Sequence, residues 1–479
     1  MRIIAVSCLL CVVVACGDDG PAASPDAAVD ALADVTCDES RLVTTLRVVP
    51  GVKAVTEKSC SASVDRPATC LEIQFDQPID HASPTTRFSQ YLFLVHRSCS
   101  APTLVGDPGY SIGGFSDAEL SVLYQTNVLW IEHRYQGRSV PASADWAWPA
   151  LTIENAANDM HRVISELRHF YTGRWVATGS SKGGITATYH RYFFPDDVDG
   201  TIAYVAPASR ARIDPEYLTQ LGTALPAACA QAVRDVQVSA LTTRRTMTLA
   251  GLEPYVGAAN APWALDVIMD SLDWRFWQYS GETFCNTVPT DASSDAVFLA
   301  FVIDISDIGD SSAPSSQRSA GALSYEWLTE HGYPLQVGAH VAPLLSDPIA
   351  KRTMEESFVA QFPEVPLPAY DGAVTAAVRT WARDNAEHLL LLYGQHDPWS
   401  GGALETPVKP SSGRFIVPAG THRSHLDGLP AQELEAALAL ASAMFGRAPE
   451  MQRLAAASRA AATHQAMVER EERRAWPVH

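Results

Sequence analysis

The first 200 or so residues alternate between short apolar runs and a helical pattern of apolar positions. Runs typical of β-strands recur in the stretches LEIQF, QYLFLVHR, TLVGDPG, VLWIEHR, WVATGS and TIAYVAP. Between the fourth and the fifth, LTIENAANDMHRVISELRHFY places its apolar residues at helical spacing. Strands that alternate with helices in this way predict a parallel sheet with crossover connections.

The pattern changes at about residue 208 and changes back at about residue 386. Residues 208–385 are helical, bear tryptophans and show few clear strands, whereas LLLLYG and RFIVPAG then predict two more strands and AQELEAALALASAMFG a helix. A sheet that is interrupted by a helical insertion and then completed is typical of α/β-hydrolases with a cap. We therefore predict an α/β-hydrolase fold, mostly parallel, with core segments 37–207 and 386–447, a cap at 208–385 and a peripheral helical tail at 448–479.

The N-terminus, MRIIAVSCLLCVVVACGDDG, has the pattern of an export signal. One basic residue precedes an uncharged run that ends at Ala15 and is too short to span a bilayer as a stable helix. Residues 13–16 resemble a bacterial lipobox, which predicts removal of residues 1–15, lipidation of Cys16 and a membrane-anchored, exported lipoprotein. An ordinary signal peptide with an incidental cysteine is the alternative. Residues 16–36, rich in Ala, Asp, Pro and Gly, predict a flexible tether.

The charge balance narrows the choice of partner. The chain has 54 acidic and 35 basic residues, for a formal net charge of −19. Because phosphate binding draws on Lys and Arg, this balance argues against nucleic acid as a partner and indicates a solvated acidic surface.

The cysteines predict disulfides in an exported chain. Cys8 and Cys11 lie in the signal and Cys16 at the lipobox, which leaves an even set of six: Cys37, Cys60, Cys70, Cys99, Cys229 and Cys285. Close spacing favours Cys60 with Cys70, Cys229 and Cys285 lie in one later region, and Cys37 with Cys99 then remains, although six cysteines can pair in many other ways. Outside the signal, no CxxC motif or histidine cluster has zinc spacing, so we predict no metal.

The stretch Gly179-Ser180-Ser181-Lys182-Gly183 is a G-x-S-x-G pattern between a predicted strand and a predicted helix. This context is that of a nucleophile elbow, in which a sharp turn lifts the central hydroxyl above the sheet. A phosphate-binding loop is the alternative, but neither GxGxxG nor GxxxxGK[ST] is present. We therefore assign the nucleophile to Ser181 and a structural role to Ser180.

A serine hydroxyl needs a histidine to accept its proton and a carboxylate to orient that histidine, and in this fold the chain order is Ser, acid, His. Asp397 directly follows the predicted strand LLLLYG, and His422 follows RFIVPAG. Asp397 before a proline is also a common turn initiator. His425, three residues further on, is the alternative base, but His422 lies nearer the strand end.

The tetrahedral intermediate of acyl transfer needs two backbone donors. We assign one to the amide of Lys182, directly after the nucleophile, and the other to Tyr110 in the loop VGDPGYSIGG, with Gly109 as the alternative. A Pro-Gly turn without a catalytic role is the competing interpretation of this loop.

Four stretches together resemble a known family: VLWIEHRYQGRSVP, the segment from LTIENAAN through GSSKGG to TIAYVAP, YGQHDPWSGG and VPAGTHRSHL. They resemble the secreted bacterial prolyl tri- and tetrapeptidyl aminopeptidases and, more distantly, the prolyl carboxypeptidase and dipeptidyl peptidase II group. The similarity is dense at 127–207, returns at 388–425, and is diffuse in the cap apart from YEWLTEHGYP. It implies a capped α/β-hydrolase without a cofactor that releases short peptides, often after proline, from free N-termini. It also implies Ser181, Asp397 and His422 as its triad.

The resemblance raises the question of what recognises the substrate. The loop GDPGY departs from the family's Glu-Gly-Tyr-like stretch, which leaves the role of Tyr110 open. A terminal ammonium in a partly buried site needs a carboxylate, for which Glu132 and Glu330 are candidates, although either could instead form a structural ion pair. Trp399, or the cap residues Trp274 and Trp277, would form an aromatic pocket for a proline ring, although most tryptophans belong to cores.

Two other functions fit the same residues. An esterase uses the same triad, and fold alone does not settle the substrate. A non-catalytic surface binding protein could also retain this fold, although the intact order of the triad argues against it.

Overall fold

The structure is a computed structural model, and it describes residues 35–308, 317–335, 338–348, 350 and 352–475. The predicted export signal, Cys16 and nearly all of the predicted tether lie outside the described residues.

A nine-stranded sheet, in the order β1-β2-β3-β5-β4-β6-β7-β10-β11, forms the centre of the molecule. Its strands are β1 Val52–Lys58, β2 Thr69–Pro78, β3 Arg87–His96, β4 Thr103–Gly106, β5 Asn127–Ile131, β6 Trp175–Ser180, β7 Gly200–Tyr204, β10 Leu389–Gly394 and β11 Gly413–Val417. The pairings β1-β2, β2-β3 and β3-β5 are antiparallel, and the other pairings within this sheet are parallel. This order, with an α-helix in each of the connections that follow β4, β5 and β6, is that of an α/β-hydrolase and confirms the predicted fold class.

The apolar strands are buried because helices cover both faces of the sheet. Every residue of β5, β6, β7 and β10 is buried. The α-helices of the core are α1 Leu42–Leu46, α2 Glu119–Tyr124, α3 Ile153–Phe170, α4 Lys182–Phe193, α13 Ala431–Phe445 and α14 Leu454–Ala475. Helix α3 buries the apolar face that its spacing predicts and begins at Thr152, whose side chain accepts a hydrogen bond from the amide of Asn155 at 3.1 Å.

The segment predicted as a cap is mainly helical. Its α-helices are α5 Glu216–Thr223, α6 Ala227–Leu241, α7 Arg245–Val256, α8 Ala261–Arg275, α9 Asp295–Ser306, α10 Gln317–Glu326, α11 Met354–Gln361 and α12 Ala373–Asp384. Two single π-turns, Phe276–Ser280 and Trp327–His331, extend α8 and α10, and the two-residue strands β8 Ile213–Asp214 and β9 Tyr333–Pro334 pair with each other. The buried side chains of α6, α8, α9 and α10 form one apolar cluster with Tyr110 and Trp399, so this segment packs on the loops at the carboxyl ends of the strands.

Helix α14 is not peripheral, contrary to the prediction for the C-terminal tail. Its Ala457, Ala460 and Ala461 are buried, and so are the polar side chains of Gln465 and Glu472. The small alanine side chains let the helix lie close against α2. Three of its carboxylates contact polar groups of other elements: Glu469 contacts Arg423, Glu471 contacts Ser111 and Glu472 contacts Tyr279. A pattern of charges along the sequence does not reveal these contacts.

Strand β1 has no counterpart among the predicted strands. It lies at the edge of the sheet, and Val55 is its single buried residue. A strand with one buried side chain carries no alternation of apolar and polar positions, so its sequence gives no strand signal.

All three expected disulfides are present: Cys37–Cys99, Cys60–Cys70 and Cys229–Cys285. Among the described residues, Cys37, His96 and Cys99 are the group whose ligand atoms lie close enough to hold a metal ion. Because both cysteines are joined to each other, they offer no thiolate to a metal.

No helix within the described ranges is long and apolar enough to cross a membrane.

Candidate active site

Ser181 stands at the turn between β6 and α4 in a conformation that few residues adopt. Its φ of 57° and ψ of −127° put it outside the helical and extended regions. The turn requires the glycines around it, because a Cβ at Gly179 would meet the backbone of Gly183, and one at Gly183 would lie 2.7 Å from the carbonyl oxygen of Asp107. The amide of Ser181 donates to the carbonyl of Tyr204 at 2.9 Å, which fixes the turn to β7.

Asp397 and His422 meet at the same edge of the sheet. Asp397 follows β10 and His422 follows β11, and the carboxyl ends of these parallel neighbours lie side by side. The Nδ1 atom of His422 is 2.7 Å from Oδ2 of Asp397, and both side chains are fully buried. The other carboxylate oxygen, Oδ1, accepts from the amide of Trp399 at 3.0 Å, so the carboxylate has a fixed orientation.

The second ring nitrogen of His422 is available for proton transfer. Nε2 is buried and has no hydrogen-bond partner among the described residues. Burial disfavours the imidazolium, but the charge of Asp397 and its hydrogen bond, aided by Glu472 and Glu469, outweigh burial and raise the pKa of His422 above its ordinary value. A histidine held in this way accepts a proton readily.

His425 takes a different position from His422. Its ring lies 5.9 Å from that of Tyr204, and burial lowers its pKa to about 4. The structure thus brings His422, and not the alternative His425, to Asp397.

The loop after β4 lies against the amino-terminal end of α4. Tyr110 is buried, and its carbonyl accepts from the amide of His133 at 3.2 Å. The amide of Gly109 donates to Oδ1 of Asp107 at 2.7 Å. Because that amide is committed to Asp107, Tyr110 remains the candidate for the second oxyanion donor beside Lys182.

A buried charge network connects this loop to the helical segment. The ring of His133 lies between Asp107, 2.8 Å from Nδ1, and Glu326, 3.0 Å from Nε2. Lys182 Nζ lies 2.8 Å from Glu326 and donates to the carbonyl of Gly109 at 2.9 Å. Desolvation and the charge of Lys182 favour the neutral ring, but the charges of Asp107 and Glu326 outweigh them and raise the pKa of His133.

The network joins the loop after β4 and the start of α4 to the helical segment. Glu326 lies at the end of α10, so one side chain of the helical segment reaches Lys182, the residue after Ser181. Burial alone would keep Glu326 neutral, but Lys182 and His133 hold its pKa well below the usual range.

The two carboxylates predicted to recognise an ammonium lie in different settings. Glu132 is occupied by the chain itself: it accepts from the amides of Ile112, Arg138 and Ser139 and from the hydroxyl of Ser139. Arg134 does not pair with it, and instead binds Asp159 at 2.8 and 2.9 Å. Glu132 therefore stabilises the backbone of the loop that follows it and connects that loop to Ile112 in the loop after β4.

Glu330 lies in the π-turn that follows α10, one turn beyond Glu326. Its Oε2 accepts from the amide of Ile153 at 2.6 Å. It forms no ion pair with any described residue, and burial, with the charge of Glu326, raises its pKa to about 7.

Aromatic rings surround the side of His422 that faces the helical segment. The ring of Trp399 lies 6.1 Å from that of His422 and contacts a cluster of three more rings: Trp274 at 5.0 Å, Trp327 at 5.6 Å and Tyr217 at 5.7 Å. Trp277 packs instead against Phe276 and His396. Trp274 and Trp399, but not Trp277, thus belong to the cluster next to His422.

The comparison with family models decides which family this is. The model for PS-10 peptidase S37 matches residues 40–478. The chain belongs to the S37 peptidase family. It is also 32% identical over 439 residues to the prolyl tri/tetrapeptidyl aminopeptidase of Streptomyces mobaraensis, covering 87% of this chain and 88% of the relative. The protein is therefore a serine peptidase of the aminopeptidase type on an α/β-hydrolase fold.

Solved structures similar to this S37 peptidase are remote in sequence. The proline iminopeptidase of Mycobacterium smegmatis is 14% identical, with coverage of 81% of this chain and 99% of that chain and a TM-score of 0.33. An α/β fold family hydrolase of Bacillus anthracis is 11% identical, with coverage of 79% and 95% and a TM-score of 0.30.

Sequence reasoning missed the polar groups that support the predicted site residues of this S37 peptidase. Asp107, His133 and Glu326 come together from three distant segments, and no local pattern marks them. One signal was present: Glu326 and Glu330 are four residues apart in YEWLTEHGYP, which puts two carboxylates on one face of a helix in a tryptophan-rich segment.

Proposed function

We propose that this S37 peptidase is an exported exopeptidase that releases tri- or tetrapeptides ending in proline from free N-termini. The observation that carries the proposal is the 2.7 Å contact of His422 with Asp397 at the sheet edge that also bears the strained turn of Ser181. The similarity to the Streptomyces mobaraensis enzyme supports the class of product.

In the proposed reaction, Ser181 attacks the scissile carbonyl while Nε2 of His422 takes its proton. Asp397 holds Nδ1 and stabilises the imidazolium that forms. The amides of Lys182 and Tyr110 bind the oxyanion, and the network of Lys182 and Glu326 keeps their loop in place. Collapse of the tetrahedral intermediate expels the amine with the proton from His422, and water then cleaves the acyl-enzyme by the same steps.

The proposed specificity rests on two features: the aromatic cluster beside His422 and the carboxylate of Glu330. The rings of Trp399 and Trp274 suit a pyrrolidine, which offers apolar surface and no amide hydrogen. Glu330, a partly buried carboxylate without an ion-pair partner among the described residues, would gain one from a terminal ammonium. Blocking of the N-terminus should therefore raise KM steeply.

An exported location with a lipid anchor at Cys16 is part of the same proposal. The lipobox-like residues 13–16 support it. Membrane fractionation of the native protein beside Cys16→Ser tests it, and a wild-type protein that stays in the soluble fraction would contradict the anchor.

An esterase on the same fold is the competing function. Assays of a proline-ending peptide amide and a short-chain ester, each with Ser181→Ala as the blank, separate the two. Efficient turnover of the ester alone would overturn the peptidase proposal.

A further inference from the structure

A small cavity lies behind the nucleophile turn. Its volume is about 30 Å³, which is room for about two water molecules. Its walls come from six places: the ends of β5, β6 and β7, the start of α2, the segment after His422, and α14. The cavity therefore adjoins both segments that carry the proposed nucleophile and base.

Three polar atoms on its walls have no hydrogen-bond partner within the described part of the chain: Oε1 of Glu119, Nε2 of His425 and Nε2 of Gln465. Glu119 is 3% exposed and Gln465 is 2% exposed. An unpaired polar atom at such depth is costly, and water in the cavity would supply the missing hydrogen-bond partners.

The other oxygen of Glu119 connects the two halves of the proposed active site. Oε2 accepts from the amide of Leu426 at 3.2 Å and from the hydroxyl of Tyr204 at 3.1 Å. Leu426 lies four residues after His422, and the carbonyl of Tyr204 is the acceptor for the amide of Ser181. One carboxyl group thus contacts the segment of the base and the strand that anchors the nucleophile.

Helix α14 closes the cavity from the far side. The Oε1 atom of Gln465 accepts from the hydroxyl of Ser180, next to the nucleophile, at 2.9 Å. His464 contacts Ser116 at 2.9 Å and stacks on Trp130. The C-terminal helix therefore excludes bulk solvent from the carboxyl of Glu119.

We propose that Glu119 is a positioning residue: together with water in this cavity, its carboxyl holds the segment that carries His422 against the strands that carry Ser181. The inference deepens the proposed function and rests on it. Glu119 acts through the segments it contacts and does not touch the substrate.

Ionisation of Glu119 would place a charge without a cationic partner beside these contacts. The titratable groups that face it are Tyr204 from β7, Tyr124 from its own helix, His425 and Asp427 from the segment after His422, and His464 from α14. None of them is a cation at neutral pH, since burial lowers the pKa of both histidines to about 4. Burial, with the charge of Asp427, raises the pKa of Glu119 from 4.5 to about 7, so the neutral carboxyl becomes an unpaired buried anion above that pH.

The test compares Glu119→Gln and Glu119→Ala by their rates of labelling with a fluorophosphonate from pH 5 to 9. This probe needs an activated serine and no peptide specificity. Wild-type labelling should rise as His422 loses its proton and fall again above about pH 7 as Glu119 ionises. Glu119→Gln, which keeps a neutral side chain of the same shape, should label normally at low pH and lose the alkaline fall. Glu119→Ala should label at least about tenfold more slowly.

A structural role alone would leave the shape of the pH profile unchanged. Superimposable profiles for wild type and Glu119→Gln, or an alanine variant as fast as wild type, would overturn the inference. If the alanine variant does not fold, the glutamine profile alone decides. Glu166→Gln is the matched control: Glu166 is a half-buried carboxyl of α3 whose pKa burial also raises, beside Arg162 and His169, and its loss should leave the profile unchanged. A wild-type protein that takes no label would refute the proposed nucleophile, and the inference with it.

Discussion

The charge of a single ring decides how the proposed reaction depends on pH. His422 must be neutral to accept the proton of Ser181, and Asp397 raises its pKa above the ordinary 6.5 despite burial. We therefore predict that kcat/KM falls as pH falls through a value above 6.5, because the protonated ring cannot act as a base. A pH profile of kcat/KM measures this limb, and full activity at pH 5 would contradict it.

The contact between Asp397 and His422 should control the tautomer of the ring. In Asp397→Asn, the amide can donate to Nδ1, which shifts the proton to Nε2 and removes the base. We expect kcat to fall by about 10⁴-fold with an unchanged fold. Steady-state kinetics beside circular dichroism measure both. Asp384→Asn, which alters an exposed acid paired with its neighbour Arg383, is the control and should keep wild-type kcat.

Glu330 offers a prediction that separates binding from chemistry. Glu330→Gln should raise KM for free peptides about tenfold and leave kcat nearly unchanged, since it removes a charge that meets the substrate's ammonium in ground and transition state alike. Labelling of Ser181 with a fluorophosphonate is the internal control, because the probe carries no ammonium and Glu330→Gln should take the label at the wild-type rate. An equal loss of labelling and of peptide turnover would assign Glu330 solely to the capping of α3.

At the scale of elements, the strands and helices that carry the proposed triad could be predicted, and their supports could not. LLLLYG coincides with β10, and the apolar spacing before Phe170 coincides with α3, because burial on a sheet dictates both patterns. Strand β1 has a single buried residue, and the contacts of α14 join positions hundreds of residues apart. Such contacts arise from packing in three dimensions. Neither β1 nor the contacts of α14 could therefore be predicted from a local pattern of apolar residues.

Helix α14 should be needed for activity as well as for stability. Removal of residues 454–475 would expose the apolar face of α2 and take Gln465 away from Ser180. We expect a truncation after residue 453 to lose activity and to lower Tm. A truncation after residue 475, which removes only residues outside the described ranges, is the control and should behave as wild type. Activity that survives the longer truncation would show that the helix is dispensable for the site.

At the scale of the whole molecule, the disulfides close loops of different lengths. Cys229 and Cys285 are 56 residues apart, and Cys60 and Cys70 are 10 apart. On the loop-entropy model, their removal costs about 4 and about 2.7 kcal/mol respectively. Double serine variants should therefore lose Tm in that order, as calorimetry would show. The reverse order would mean that strain or residual structure in the unfolded chain outweighs loop length.

The proposed function makes a claim about which peptide bonds the whole molecule cleaves, so the products test that claim most directly. We would identify by mass spectrometry the products from peptides with free or acetylated N-termini and proline at positions 1 to 4, with wild type beside Ser181→Ala. The account predicts tri- and tetrapeptides that end in proline, from free N-termini only and not with the variant. Cleavage within acetylated peptides, or undiminished cleavage by Ser181→Ala, would contradict it.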